Sequence, residues 1–241
     1  MNKRSLIIFI TLIAFAVFAT AAIAYKQKGK IKESAVTVAA NAESAVQKEE
    51  KSTITAEDNS LIRAHSPILG AVNGSVTIVE FLDPSCEACR AFFPFVEQIL
   101  TDYPEDVRLV IRYAAFHEGS DEAVRILEAS RKQNLYQPVL EALFAMQPQW
   151  AVHGTPQLEK AWEIAASKGL DVERAKADAL SPEIAEVLSK DTADLQVNNI
   201  RQTPTFFVNG RQLQLTSIGP EQLRNLVEEE IQKAKATEPA N

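Results

Sequence analysis

Cys86-Glu87-Ala88-Cys89 holds both cysteines of the chain. Two thiols so close together make no disulfide framework; they suit a pair that opens and closes one redox bond. A helix N-terminus stabilises a thiolate through unpaired N–H groups and the helix dipole, so this spacing points to thiol–disulfide exchange. Cys86, at the helix start, is the expected nucleophile and is expected to be exposed. Cys89, about one turn further on, is the expected buried, resolving thiol. Asp83 and Glu87 place negative charge near Cys86 and are expected to raise its pKa against the helix dipole and Arg90, giving a less oxidising pair than one with histidine between the cysteines. The expected redox group is the Cys86–Cys89 disulfide itself, with no cofactor and no metal. Two rival readings are a soft-metal site, in which the two thiolates hold Cu(I), and a tethered chaperone in which the cysteines are incidental. Against the metal, no third sulfur lies nearby, because the two methionines are Met1 and Met146.

The surrounding pattern supplies elements to position that pair. Residues 77–82 (TIVEFL) are β-branched and aromatic and read as a buried strand. Cys89, Phe92, Phe93, Val96, Ile99 and Leu100 follow at the spacing of one apolar helix face. Residues 107–113 (VRLVIRY) form a second strand, so strand, helix and strand imply a parallel pair with a crossover. A helical block follows, about 119–200. Ser120 reads as its first N-cap, further helices fit 135–146, 157–168 and 171–179, and Asp171 and Ser181 read as later caps. Residues 205–208 and 211–215 flank Asn209-Gly210, a hairpin signal, and Gly219-Pro220-Glu221 opens a last helix. The fold class is therefore α/β, β-α-β then β-β-α, with a helical insertion. Trp150 and Trp162 fall at helical spacing and read as core. His117 follows the second strand, where it either reaches the rim of the site and tunes the thiolate or is a plain loop histidine; His65 and His153 have no evident partner.

The chain has 241 residues, 46% of them hydrophobic, and a net charge of −7 with Lys and Arg scattered. One domain with a sizeable core fits residues 61–235, and no concentrated basic face suggests nucleic acid. Residues 6–24 are apolar except for Thr11 and Thr20, after Lys3 and Arg4. The segment 1–24 reads as a cleaved signal peptide or, because the run just reaches spanning length, as a membrane anchor through residues 5–24. Lys26, Lys28, Lys30 and Lys32 argue against export by charge bias, but exchange chemistry favours an oxidising compartment. Residues 25–60 read as a solvated linker, or as a short oligomerising helix with Ile31, Val38 and Ala45 at heptad spacing.

FLDPSCEAC after its strand, and QTPTFFVNG before the hairpin, flank the helical insert. In that order they resemble the thioredoxin superfamily, and within it the DsbA-like periplasmic thiol–disulfide oxidoreductases, over about residues 61–235. The resemblance implies exchange with the thiols and disulfides of exported proteins, a membrane or periplasmic redox partner, and periplasmic localisation. It implies a cis Pro204 against the cysteine pair, with the Thr203 backbone free to bond an extended substrate. It also implies that Glu80, alone among the apolar residues of its strand, is a buried acid that handles the Cys89 proton. Glu87-Ala88 departs from the histidine found between the cysteines of strongly oxidising members, which leaves oxidase, isomerase and reductase open.

Overall fold

The computed structural model describes residues 60–214, 219 and 221–237. The segment 1–24, nearly all of the linker and its heptad positions lie outside the described residues. No helix among the described residues is long and apolar enough to cross a membrane.

A five-stranded sheet runs in the order β1-β3-β2-β4-β5, from β1 (Ile68–Gly70), β2 (Val76–Leu82), β3 (Val107–Tyr113), β4 (Thr205–Val208) and β5 (Arg211–Gln212). β2 and β3 are parallel, joined over helix α1 (Glu87–Asp102), and their register sets Glu80 opposite Ile111. β4 lies antiparallel on the other side of β2, with Phe206 opposite Glu80. Every residue of β2 is buried, as expected of a central strand covered on both faces. β1 has only three residues, too few for a periodic signal in the sequence. β5 stops at Gln212, although Leu213 N still donates to Phe206 O; Leu215 lies outside the described residues.

The period of two along the strands sorts the core. Val76, Ile78 and Leu82 of β2 face the larger apolar cluster, which includes Cys86, Cys89, Phe93, Val96 and Ile99 and also Leu223, Val227 and Ile231 of the last helix, α8 (Glu221–Thr237). Glu80 shares that parity. Val79 and Phe81 point the other way, into a smaller cluster with Leu195 of α7 (Pro182–Val197). Between β3 and α7 lie α2 (Ser120–Arg131), α3 (Tyr136–Ala145), α4 (Gln147–Trp150), α5 (Leu158–Ala166) and α6 (Val172–Ala179). Trp150 and Trp162 are both buried there. Asp171 caps α6 through Arg174 N, and Ser181 caps α7 through Ile184 N. Ser120 is not the cap of α2. Gly119 takes that place at φ 79, and Ser120 becomes the first helical residue, its hydroxyl committed elsewhere.

One ionic cluster fastens α7 to the sheet. Arg112, fully buried on β3, donates to Asp191 at 2.7 and 3.0 Å and to Asp194 at 2.6 Å. Arg63 makes a two-pronged bond to Asp194 at 2.7 and 2.8 Å, and His65 Nε2 meets Asp191 at 2.7 Å. The chain segment before β1 is thereby held to α7, and His65 has its partner. Removing one member strands buried charge, so Arg112→Ala is expected to cost about 3–5 kcal/mol of unfolding free energy by urea denaturation. A loss below about 1 kcal/mol would show that the cluster does not hold the helix.

Candidate functional site

Cys86 is the N-cap of α1, extended at φ −76 and ψ 122, so the chain turns into the helix at the sulfur. Its thiol donates to the Thr203 carbonyl at 3.4 Å, and the Thr203–Pro204 peptide bond is cis. Thr203 O is engaged by the protonated thiol only, since the Cys86 thiolate and the disulfide have no S–H to donate. Cys86 is also not exposed: only 6% of it meets solvent, because this loop closes over the sulfur. Cys89 is fully buried, and its sulfur takes the Asp83 N–H at 3.5 Å. Both cysteines are free thiols in this structure.

Burial and one shared hydrogen bond drive the two thiols apart. A hydrogen bond from Cys89, against burial that raises it, holds the Cys86 thiol down to about 5 from an ordinary 9.0; the Thr203 side chain and the N–H groups of Cys89 and Ala88 add to the lowering. Cys89 is pushed up, first by burial, then by that same bond and by the charges of Glu80 and Cys86. The helix-start N–H groups thus act as expected, and the net direction at Cys86 is downward despite the negative charge of Asp83 and Glu87 nearby. Neither carboxylate is left facing the sulfur alone.

Asp83 is fully buried and spends its carboxylate on five donors. Oδ1 accepts Ser85 N at 2.8 Å and the Ser120 hydroxyl. Oδ2 accepts Phe116 N at 2.8 Å, His117 N at 3.0 Å and His117 Nδ1 at 2.7 Å. Gly119 makes this possible: at its left-handed φ, a Cβ would meet Leu158 and Pro156 at 3.0 and 3.1 Å. Glu87, exposed in the first turn of α1, turns to His153 Nε2 at 3.0 Å. His153, without an evident partner in the sequence, stacks on His117 with ring centroids 5.7 Å apart. His117 therefore lies beside the site. Burial pushes its pKa down, but the Asp83 bond and charge, with Cys86 and Glu87, leave it raised.

Glu80 has the opposite surroundings. It is fully buried, and neither carboxylate oxygen has a hydrogen-bond partner. Burial, with the charge of Cys86 second, pushes its pKa up to about 8. Sequence reasoning missed Gln147, whose buried Nε2 donates to Pro84 O at 2.8 Å and Cys86 O at 3.0 Å, fixing the loop into α1. A glutamine sixty residues away carries no local signal of that role.

A family model described as thioredoxin matches residues 62–229. The Na(+)/H(+) antiporter NhaA of Herminiimonas arsenicoxydans is 33% identical over 146 residues, covering 61% of this chain; the chain thus spans only about a fifth (22%) of that relative's length. Disulfide bond formation protein D of Bacillus subtilis is 31% identical over 163 residues, covering 60% of this chain and 68% of that protein. A crystal structure of a thioredoxin-like oxidoreductase from Silicibacter pomeroyi superposes with TM-score 0.63 at 29% identity, over 75% of this chain and 99% of that one.

Two measurements check this site. The thiolate absorbance of the reduced protein is expected to titrate with a midpoint of about 5, the thiolate being lost as pH falls through that value, and to vanish in Cys86→Ser. A midpoint near the ordinary thiol value would contradict the geometry. Glu80 has a folded pKa raised above the unfolded one, so it costs nothing below about 4.5 and its cost grows as pH rises toward about 8. Glu80→Leu is accordingly expected to stabilise the protein by about 3 kcal/mol at pH 7 and by far less at pH 4, measured by denaturant unfolding at both.

Proposed function

Because the chain belongs to the thioredoxin family, we propose that Cys86 and Cys89 form a redox-active pair that donates its disulfide to the thiols of exported proteins. The observation that carries this reading is the placement of Cys86 at the N-terminus of α1 with its sulfur 3.4 Å from the Thr203 carbonyl, over the buried Cys89 and an unpartnered buried acid, Glu80. A thiolate held at about 5 stabilises the reduced form, and a pair whose reduced form is stabilised is a stronger oxidant. That favours donation over reduction or isomerisation.

The step proceeds as follows from the oxidised pair. A substrate thiolate attacks Cys86 Sγ, forming a substrate–Cys86 bond and breaking the Cys86–Cys89 bond. Cys89 leaves with the electron pair and takes the proton of the Glu80 carboxylic acid. A second substrate thiolate then attacks the substrate sulfur, so that the substrate gains a disulfide and Cys86 leaves as a thiolate. Two electrons now reside on the pair, and a periplasmic or membrane partner carrying a disulfide or quinone removes them. Phe116 and Val152, exposed by 46% and 43% beside His117 and His153, offer an apolar lip for an unfolded polypeptide. The apolar run at residues 6–24 fits export to a compartment where disulfides persist.

Oxidised protein mixed with a reduced, unfolded substrate is expected to form disulfides stoichiometrically. Cys86→Ser abolishes this, reduced Cys89→Ser mixed instead with a disulfide-bonded substrate accumulates a mixed disulfide at Cys86 detectable by mass, and Glu80→Leu slows the exchange on the order of 100-fold. Full activity in Cys86→Ser would overturn the assignment.

A further inference from the structure

We propose that Glu87, His117 and His153 form a three-ligand site for a divalent cation of the zinc class, on the rim beside Cys86. One donor atom of each lies within 4.8 Å of the other two, and Glu87 Oε1 is already 3.0 Å from His153 Nε2. Tetrahedral zinc at its usual bond lengths sets donors about 3.4 Å apart. The remaining closure falls to exposed side chains, those of Glu87 and His153 being 54% and 66% accessible.

His117 shows that this is more than an ion pair. Its Nδ1 is 2.7 Å from Asp83 Oδ2. A carboxylate oxygen facing the ring only accepts, so Nδ1 carries the hydrogen, and in the neutral ring that a metal requires Nε2 keeps its lone pair for the ion. Carboxylate–imidazole support of this kind is what orients metal-bound histidines. Here the support is rigid, because Asp83 is fully buried and holds the same loop through the Phe116 and His117 N–H groups. A Glu87–His153 pair alone gives no reason for His117 to lie against His153, with ring centroids 5.7 Å apart and planes at 26°. Two imidazoles and one carboxylate suit zinc, and three protein ligands leave a fourth position for water or another donor. The ligands come from the first turn of α1, the β3–α2 loop and the α4–α5 loop, so a bound ion would tie the helical block to the sheet at the mouth of the site.

The inference goes beyond thiol exchange and does not rest on it, so its test uses the full chain with the Cys86–Cys89 disulfide formed, where no thiolate is present to ligate. Zinc chloride titrated by calorimetry is expected to bind one ion per chain and to raise the melting temperature. His153→Ala and Glu87→Gln, both at exposed positions, are each expected to weaken binding at least about tenfold, while a Cys86→Ser/Cys89→Ser double variant keeps the affinity of the oxidised protein. No uptake by the oxidised chain, or uptake unchanged in both His153→Ala and Glu87→Gln, would overturn the proposal.

Discussion

Three residues before Cys86, a single buried carboxylate holds together the parts on which its position depends. Asp83 directly follows β2, and its two oxygens gather Ser85 from the turn into α1, Phe116 and His117 from the β3–α2 loop, and Ser120 from the first turn of α2. Each donor left unsatisfied in such a place would cost about 1–3 kcal/mol, so these segments are held to one arrangement. The carboxylate also determines which nitrogen of His117 faces outward. Gln147 completes the arrangement from the helical block by holding the carbonyls of Pro84 and Cys86. The reactive sulfur is therefore placed by a polar network beneath it as well as by its own helix.

Two acids in neighbouring positions are used in opposite ways. Asp83, surrounded by donors, acts as an architectural anion; Glu80, with none, is held near neutrality by burial. The same division separates the thiols. A hydrogen bond lowers Cys86, and burial together with that same bond raises Cys89, so at neutral pH one sulfur is an anion and the other keeps its proton. A pair of chemically identical residues thereby acquires a nucleophile and a leaving group that needs an acid. The apolar stripe of α1 matters here because Phe93, Val96 and Ile99 continue the face of Cys89 into the core, keeping water from that second sulfur.

Much of the framework was legible because its signals are local. The β-branched run of β2, the helical spacing after Cys89, the hairpin around Asn209-Gly210 and the caps at Asp171 and Ser181 each depend on neighbours within a few residues. Ser120 shows where local reasoning stops: a serine before an apolar helix suits a cap, but Asp83, far away in sequence, claims its hydroxyl and Gly119 caps instead. The Arg112 cluster, Gln147 and the His153 pair were hidden for the same reason, being contacts across tens of residues. The balance at Cys86 was not legible, because charges counted along the chain say nothing of where they turn. Asp83 faces the 116–120 loop and Glu87 faces His153, leaving hydrogen bonds to decide the thiol.

The reduction potential of the Cys86–Cys89 pair, measured by equilibration of the full chain with glutathione buffers, bears most directly on whether the stabilised thiolate makes the protein a disulfide donor. A value more positive than about −200 mV is the expected result, since the reduced form gains from the Cys86 anion. A value at or below about −250 mV would contradict it, and would mean that the site holds its disulfide too tightly to give it away.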